Sequence, residues 1–451
     1  MRDVRLHDTR TGQVRPLEPR EPGRVGIYAC GPTVYNRIHV GNARPYVVFT
    51  WLKRFLAHEG YDATFVANIT DVNDKIYDAA RERGVPSEQL AREMADHYRS
   101  DTDALGLGRP DHEPLASETM DGIVDLIQAL IDRGAAYAVE GDVYFRVRAD
   151  EHYGELSHRD IEQMDQGEGV EGANLKEDPL DFALWKAQKE GEDTAWDAPW
   201  GRGRPGWHIE CSAMAERLLG VGFEVHGGGS DLVFPHHENE AAQTRLGRGQ
   251  ELARIWMHNG MLEMRGEKMA KSVGNIAGLP DVLEEWGRDT VLAFFAAGHY
   301  RQPIVFSPET LTDARNRVKG WRELGRRLRP GPSPADLAPV KERFFAALAD
   351  DFNTPVALAA VAEWVREANR RDGEVGRDDL VEMLSVFGLE NVLEADAGEG
   401  PDDAALDLLR RRQEARAAKD FAAADALRDE LRASGWEVRD GPQGAELVPA
   451  G

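Results

Sequence analysis

The sequence predicts an α/β fold: a doubly wound parallel sheet with an insertion, followed by helical domains and a small C-terminal α+β unit. A strand, a helix and a second strand follow one another between residues 24 and 69, which is the pattern of a parallel βαβ unit. Sheet-forming segments return near residue 225 after a long polar stretch, and beyond residue 334 apolar residues recur at helical spacing. The ligand site of such a sheet lies at the carboxyl ends of its strands.

The elements of the first half follow from the apolar pattern. Arg24 to Ala29 predicts a buried strand, which ends in the loop 30–33, and Gly41 to Glu59 predicts a helix that Gly60 ends. Tyr61 to Ile69 then predicts the second strand. Five apolar residues of the helix share one face: Val48, Trp51, Leu52, Phe55 and Leu56. Further elements predicted here are helices over 87–105 and 118–133 and a hairpin that begins near Tyr137.

The sheet domain is predicted to be split by a polar insertion. The segment from about Ala149 to Pro205 is rich in Asp, Glu and Gly, and Glu224 to His226 and Ile255 to Met257 then predict two further strands. Linkers are predicted at 329–339 and 394–403, with a helical domain between them. The last unit is predicted as helices over 404–417 and 421–433, the second capped by Asp420 and ended by Gly435, and a hairpin over 436–448.

Composition bounds the class of protein before any motif is considered. The 451 residues are 41% hydrophobic and 30% charged, which is ordinary for a globular protein of several domains. No apolar run approaches the roughly 20 residues that cross a bilayer, and the start MRDVRLHDTR lacks the apolar stretch of a signal peptide. Two cysteines exclude a disulfide framework. We therefore expect a cytoplasmic protein with no membrane partner.

Charge gives a mixed indication about nucleic acid. The formal net charge of -25 disfavours a phosphate-rich partner, yet basic residues cluster at 315–329 and at 409–419. For either cluster alone, a solvated helix face balanced by nearby acids is an equally good interpretation.

A phosphate-binding motif is predicted where residues 37–44 (RIHVGNAR) join a strand to a helix. A helix N-terminus offers free amide hydrogens and the positive end of a dipole, so it suits a phosphate. Gly41 allows close approach of a nucleotide, and His39 can donate to a phosphate oxygen. Alone, a histidine in this place is more often a cap or a packed side chain.

A second charged motif is KMAKS at 268–272, between Gly266 and Gly274. Two lysines on a glycine-bounded loop can close over a triphosphate and stabilise the charge that builds as pyrophosphate departs. A solvated loop is the more common interpretation of such a segment by itself. The chain contains no Walker loop.

A metal site is predicted from the sulfur and imidazole residues. Cys30 and Cys211 are the two cysteines, and in PHHENE (235–240) His236 and Glu240 share a helix face. Two thiolates, an imidazole and a carboxylate suit tetrahedral zinc. His237 with Glu240 fits the spacing as well, and each cysteine alone fits a core position equally.

These segments resemble a known family. HVGN (39–42) and KMAKS (268–272) resemble the two signature motifs of class I aminoacyl-tRNA synthetases, in that order. Within this class the chain resembles cysteinyl-tRNA synthetase essentially from end to end, through YACGPTVY (28–35), NITDV (68–72), GWHIECS (206–212), HGGGSD (226–231) and WMHNG (256–260). The resemblance implies a class I Rossmann-type domain and an ATP-dependent ligase that joins L-cysteine to cysteine tRNA through a cysteinyl-adenylate.

The resemblance also implies a zinc ion and its place. Its ligands fall on Cys30, Cys211, His236 and Glu240, and the ion binds the thiolate of the substrate directly. A soft thiolate outcompetes a serine hydroxyl for zinc, so no editing domain is needed. The wall of the implied cysteine pocket includes Thr70, Trp207 and His208.

For ATP, the resemblance implies three groups of residues and a magnesium ion. His39, Gly41 and Asn42 would meet the phosphates, and a mobile lid would carry Lys268, Lys271 and Ser272. The ribose and adenine would meet the 227–231 loop, through Gly228, Gly229 and Asp231. His39, Asn42, Lys268 and Lys271 are the implied catalytic residues.

The sequence departs from the pattern of the class at two places. Asn42 stands where many class I enzymes have histidine, although asparagine is familiar within this family, and Ala270 stands where serine is usual. Asn42 can still donate a hydrogen bond, and both lysines of the loop are retained.

The resemblance divides the chain into six regions. They are the first half of the Rossmann catalytic domain (1–135), the insertion or connective peptide (136–205), the second half with the lysine loop (206–306), the stem-contact region (307–333), a helical domain (334–400) and the anticodon-binding domain (401–451).

Two other functions are weighed against this one. A related ligase that joins cysteine to an amino-sugar shares the catalytic domain but lacks the anticodon-reading tail, so the basic helices after Asp402 argue against it. An inactive homologue could serve as a zinc-dependent RNA-binding or regulatory module. Retention of His39, Lys268 and Lys271 argues against that function.

Overall fold

The computed structural model describes residues 2–163, 174–264, 267–268, 277–371, 375–394, 403–418, 420–441 and 444–449. The chain divides into two compact units, Met1–Leu393 and Glu394–Gly451. None of the helices in the described ranges combines the length and the apolar content that a membrane span requires.

The first unit opens with a hairpin and a parallel βαβ unit. The antiparallel strands β1 (Arg5–Asp8) and β2 (Gln13–Pro16) form the hairpin. Strand β3 (Arg24–Ala29), helix α1 (Val40–His58) and strand β4 (Asp62–Ala67) follow, and β3 pairs with β4 in parallel. The predicted apolar face of α1 is confirmed, because all five of its side chains are buried. Their burial fixes α1 against the sheet.

Three helices follow β4. The structure confirms two of them, α3 (Ser87–Asp103) and α4 (Met120–Asp132). Helix α2 (Asp74–Arg83) was not predicted, because its DKIYDAARER sequence has too few apolar residues to show a helical stripe. The side chain of Asn73 caps α2 by accepting a hydrogen bond of 3.1 Å from the backbone N–H of Lys75.

The insertion contains a four-stranded antiparallel sheet. Strands β5 (Ala136–Val139) and β6 (Asp142–Phe145) are the predicted hairpin, and β7 (Phe182–Ala187) and β8 (Gly203–Pro205) extend it in the order β5-β6-β7-β8. Strands β7 and β8 were not predicted, because the segment is polar in composition. The two strands are held by burial of an apolar cluster that includes Trp185.

The chain then returns to the central sheet. Helix α5 (Trp207–Leu219) leads to β9 (Phe223–Gly229), and α6 (Glu238–Arg248) leads to β10 (Ala253–Asn259). The four parallel strands lie in the order β10-β9-β3-β4, which confirms the predicted split sheet. The direction of winding reverses between β3 and β9. A crevice at the carboxyl ends of these two strands is the expected place for a ligand.

Mostly helical structure completes the first unit. Its strands are β11 (Leu262–Met264), β12 (Glu267–Lys268), β13 (Ile304–Val305), β14 (Leu328–Arg329) and β15 (Val375–Gly376). Its helices are α7 (Leu279–Trp286), α8 (Arg288–Ala297), α9 (Pro308–Gly325), α10 (Ala338–Ala349), α11 (Thr354–Asn369) and α12 (Asp378–Val386).

The predicted linker at 329–339 is wrong at both ends. Arg329 belongs to β14, which pairs with β15, and α10 begins at Ala338. Pro339 lies in the first turn of α10, where a missing N–H costs no helical hydrogen bond. Of the second predicted linker, 395–402 lies outside the described residues.

The second unit has the predicted elements. It consists of α13 (Asp403–Ala417), α14 (Phe421–Ala433) and a hairpin of β16 (Trp436–Gly441) with β17 (Gly444–Pro449). The side chain of Asp420 accepts a hydrogen bond of 3.1 Å from the backbone N–H of Ala423, so the predicted cap of α14 is confirmed.

Candidate active site and metal centre

A cavity of about 390 Å³ opens at the carboxyl ends of the central strands. Its size suits a small-molecule or nucleotide ligand. The structure brings together there seven of the residues singled out from the sequence: Cys30, His39, Gly41, Asn42, Trp207, Gly229 and Asp231.

The floor of the cavity is formed where β3 and β4 end. A Cβ atom added to Gly31 would lie 1.8 Å from the backbone oxygen of Asn68, so only glycine allows the two strand ends to approach this closely. The backbone N–H of Gly31 donates to Asn68 Oδ1 over 3.0 Å. Cys30, the preceding residue, is thereby fixed at the cavity wall.

Asn68 joins three parts of the site and was assigned no role from the sequence. Besides Gly31, its Oδ1 accepts from the Cys211 thiol over 3.7 Å, and its Nδ2 donates to Thr70 Oγ1 over 3.2 Å. The side chain is fully buried. An asparagine near the carboxyl end of a predicted buried strand is the signal that could have found it.

The N-terminus of α1 forms the opposite wall. His39 precedes the helix, and its backbone N–H donates to Asn42 Oδ1 over 3.3 Å. A Cβ atom on Gly41 would lie 2.9 Å from the imidazole of His39, so glycine leaves room for that ring. The positive end of the helix dipole and the imidazole together suit an anion.

The glycines at the end of β9 allow close packing of the main chain there. A Cβ atom on Gly227 would lie 2.0 Å from the backbone oxygen of Met257, and one on Gly228 would lie 2.8 Å from a methyl carbon of Leu232. Asp231 follows on the exposed side of the cavity. Gly229 lines the cavity and presents main chain without a side chain to it.

Behind the cavity, four donor atoms converge. The ligand atoms of Cys30, Cys211, His236 and Glu240 all lie within 4.8 Å of one another. The Cys30 thiol donates to Glu240 Oε1 over 3.4 Å, and His236 Nε2 lies 3.0 Å from the same oxygen. Two sulfurs, one imidazole and one carboxylate form a donor set typical of zinc.

A second set overlaps the first. Cys30 and Glu240 also lie within 4.8 Å of the ring nitrogens of His226 and His237. His226 Nε2 is 2.8 Å from Glu240 Oε2, whereas His237 Nε2 is 3.9 Å from Glu240 Oε1. Two geometrically possible metal sets therefore share one thiol and one carboxylate.

Burial controls the protonation of these groups. It raises the pKa of the Cys30 thiol well above its usual value and also raises the pKa of the Cys211 thiol. Burial lowers the pKa of His236 well below its usual value. The histidine is therefore neutral, as a metal ligand must be, and the two thiols need a nearby cation to ionise.

The three residues expected to line an amino-acid pocket surround this cluster. His208 Nδ1 is 3.0 Å from His236 Nδ1, which leaves the other nitrogen of His236 facing Glu240. The Trp207 ring stacks on His236 with centroids 4.2 Å apart. Thr70 is 1% exposed and is held by Asn68.

Most of the lysine motif lies outside the described residues. Lys268 is described only as backbone, in β12, and Lys271 and Ser272 lie outside the described residues. Ala270 lies outside them as well.

Comparison with protein families gives three matches in chain order. The catalytic domain of class I (C) tRNA synthetases matches residues 16–316. A DALR domain matches residues 343–389, and the anticodon-binding domain of cysteinyl-tRNA ligase matches residues 399–446. The second unit is thus similar to an anticodon-binding domain, which the amino-sugar ligase considered above lacks.

Comparison with single proteins agrees with these matches. The chain is 44% identical over 464 residues to the cysteine–tRNA ligase of Brevibacillus brevis, covering 98% of each chain. It is 43% identical over 465 residues to that of Geobacillus thermodenitrificans, again covering 98% of each. A Mycobacterium tuberculosis methionyl-tRNA synthetase in complex with methionyl-adenylate shares the fold, with a TM-score of 0.60, 18% identity and coverage of 82% of this chain and 89% of that chain.

The fold, the cavity and the match to the catalytic domain together define a class I aminoacyl-tRNA synthetase. Within this class, the chain belongs to the cysteine–tRNA ligase family. Its reaction is the ATP-dependent joining of cysteine to cysteine tRNA, so ATP, L-cysteine and that tRNA are its partners.

Proposed function

We propose that Cys30, Cys211, His236 and Glu240 hold a zinc ion that selects cysteine in this reaction. The observation that carries the proposal is the convergence of these four ligand atoms within 4.8 Å, beside a cavity that Cys30 also lines. When bound, zinc would supply a soft Lewis acid for the substrate thiolate, which a serine hydroxyl satisfies poorly.

Two arguments favour this set over the one with His226 and His237. It contains two thiols instead of one, and thiolates are the donors that zinc prefers in structural and substrate-selecting sites. His226 is already 2.8 Å from Glu240 Oε2, and His237 Nδ1 is 2.7 Å from His258 Nε2. His226 therefore suits the role of orienting Glu240, as His208 orients His236, whereas the hydrogen bond of His237 goes to His258.

The rest of the cavity would bind cysteine and ATP. Thr70, Trp207 and His208 form the wall around the cysteine side chain. His39 and Asn42 would donate to the phosphates beside Gly41, and Gly228, Gly229 and Asp231 would meet ribose and adenine. Lys268, Lys271 and Ser272 would close over the triphosphate with its magnesium ion. Positioning and charge stabilisation would then supply most of the catalysis.

The assignment of regions completes the proposal. The insertion at 136–205 separates the catalytic halves 1–135 and 206–306, and 307–333 would contact the tRNA stem before the helical domain 334–400. Residues 401–451 would read the anticodon. We expect the enzyme to act in the cytoplasm, where its tRNA is charged.

The test removes one sulfur ligand and measures metal and activity separately. Cys211→Ser should lose zinc, measured by elemental analysis, together with cysteine-dependent ATP–pyrophosphate exchange. Wild-type enzyme should charge tRNA with cysteine and not with serine, and a chelator should abolish that charging. Wild-type zinc content in Cys211→Ser would refute the ligand assignment.

A pair of histidine variants separates the two possible sets. His236→Ala should lose the metal, whereas His237→Ala should retain it, since only His236 belongs to the proposed set. The reverse order of zinc contents would identify the second set as the binding site instead.

A further inference from the structure

The 150–159 loop, which follows the β6 strand of the insertion, lies against the segment that carries two of the four proposed ligands. It makes four contacts with residues 234–245: an ion pair of Asp150 with Arg245, a hydrogen bond from the Tyr153 hydroxyl to Asn239 Oδ1, a hydrogen bond of 2.7 Å from the Ser157 N–H to Glu238 Oε2, and the Arg159 guanidinium 4.5 Å from the Phe234 ring centroid.

The supported segment is irregular just before the two ligands. The helical path is broken at Phe234, which has the extended angles φ −140 and ψ 133. His236 follows this break, and Glu240 lies in the first turn of α6. The chain before the break therefore does not continue the helical segment that carries both ligands, and contacts with other elements help to fix where that segment lies.

Two of the contacts reach buried polar side chains of the supported segment, so they are specific in geometry. Glu238 and Asn239 are fully buried, and Tyr153 is 7% exposed. A buried carboxylate or amide oxygen without its donor is costly, because no water replaces the lost hydrogen bond. Glu238 and Asn239 stand between His236 and Glu240 in sequence. Their partners on the loop thus hold the backbone between the two ligands.

The far end of the loop is anchored to the N-terminal hairpin. His158 Nε2 lies 2.8 Å from the backbone oxygen of Thr9. Thr9 Oγ1 in turn lies 2.7 Å from His258 Nδ1, and His258 Nε2 lies 2.7 Å from His237 Nδ1. The loop is therefore tied both to the metal-bearing segment and to the residues that pack behind it.

We propose that the 150–159 loop is a positioning element of the metal centre. In this role, Tyr153 acts through Asn239 to keep His236 and Glu240 at coordination distance from the metal. The insertion thereby sets how tightly the metal is held. This inference rests on the proposed zinc site and adds a role for residues remote from substrate.

The test compares two variants that each remove one tyrosine hydroxyl from the insertion. Tyr153→Phe deletes the donor to Asn239. Tyr144→Phe is the matched control, since its buried hydroxyl donates to Asp142 within the insertion over 2.7 Å. Zinc release into excess chromogenic chelator is followed by absorbance for both variants and the wild type.

Tyr153→Phe should release zinc about 10-fold to 100-fold faster than wild type, the range typical of lost support behind a ligand. Tyr144→Phe should release it at the wild-type rate. With zinc in excess, Tyr153→Phe should raise the KM for cysteine and leave the KM for ATP unchanged, a split that general destabilisation would not produce.

The outcomes separate this inference from the proposed function. Should Tyr153→Phe fail to fold, Arg159→Ala, a change at the edge of the same contact, takes its place with the same expectation. A wild-type protein that binds no zinc would refute the metal site itself. If the wild type binds zinc and both Tyr153→Phe and Arg159→Ala release it at the wild-type rate, the positioning role alone is refuted.

Discussion

At the scale of residues, the site depends on a few buried polar groups that each serve several neighbours. Asn68 contacts the backbone of Gly31, the thiol of Cys211 and the hydroxyl of Thr70. One amide thus links a candidate metal ligand, a strand end and the expected cysteine pocket. Substitutions in this layer should disturb metal binding and stability together, because the same contacts support both.

The close approach of Gly31 to Asn68 gives the first prediction at this scale. Gly31→Ala places a Cβ atom 1.8 Å from a backbone oxygen, so the end of β3 must move and Cys30 with it. We expect a loss of at least about 3 kcal/mol in the free energy of unfolding. Denaturant unfolding and zinc stoichiometry measure the two effects. An unchanged midpoint with full zinc content would contradict the expectation.

At the scale of elements, the function is concentrated where parallel strands end. Cys30 follows β3, Thr70 follows β4 and Asp231 follows β9. Each strand pairs with the next in register, so residues far apart in the chain arrive at one edge of the sheet. The helices, in contrast, contribute mainly through the faces they bury and through their N-termini.

Gly320 in helix α9 provides a control for the Gly31→Ala variant. Gly320 lies inside this helix, and a Cβ atom there would meet no heavy atom within 4 Å. Gly320→Ala should raise the free energy of unfolding by about 0.5–1 kcal/mol, because alanine loses less backbone entropy in a helix. Denaturant unfolding of Gly320→Ala beside Gly31→Ala should give shifts of opposite sign. A destabilised Gly320→Ala would show that α9 tolerates no added side chain there.

At the scale of the whole molecule, the chemistry and the reading of tRNA are assigned to different units. The described residues that line the cavity belong to the first unit, residues 1–393, whereas the anticodon-binding domain match covers 399–446. The formal charge of -25 is compatible with this division, since basic residues are needed only where tRNA binds.

Truncation after Leu393 tests this division. The shortened chain keeps the cavity and the donor cluster, so it should catalyse ATP–pyrophosphate exchange within about twofold of the full chain. Charging of cysteine tRNA should fall by about 100-fold or more in kcat/KM, because a second binding module is lost. If the truncated chain charged the tRNA at the full-length rate, the proposed role of residues 401–451 would be refuted.

The sequence by itself determined the class of fold, most elements and the family. Buried strands and the five-residue face of α1 follow from periodicity, which is local, and the structure agrees with them. The sequence also indicated candidate ligands, namely Cys30, Cys211 and the PHHENE segment. The sequence missed several elements, among them α2, β7 and β8, because short or polar elements show no periodic apolar stripe and are stabilised by contacts distant in sequence.

Only the tertiary structure decided which atoms meet. The sequence spacing allowed His236 and His237 equally as metal ligands. In the folded chain, His236 lies in one possible metal set with Cys211 and beside His208, and His226 and His237 lie in a second set that overlaps it. Asn68, Tyr153 and the 150–159 loop gained their roles only when strand ends and an insertion were brought to one place. The physical reason is that local preferences act along the chain, whereas coordination and buried hydrogen bonds depend on distances across it.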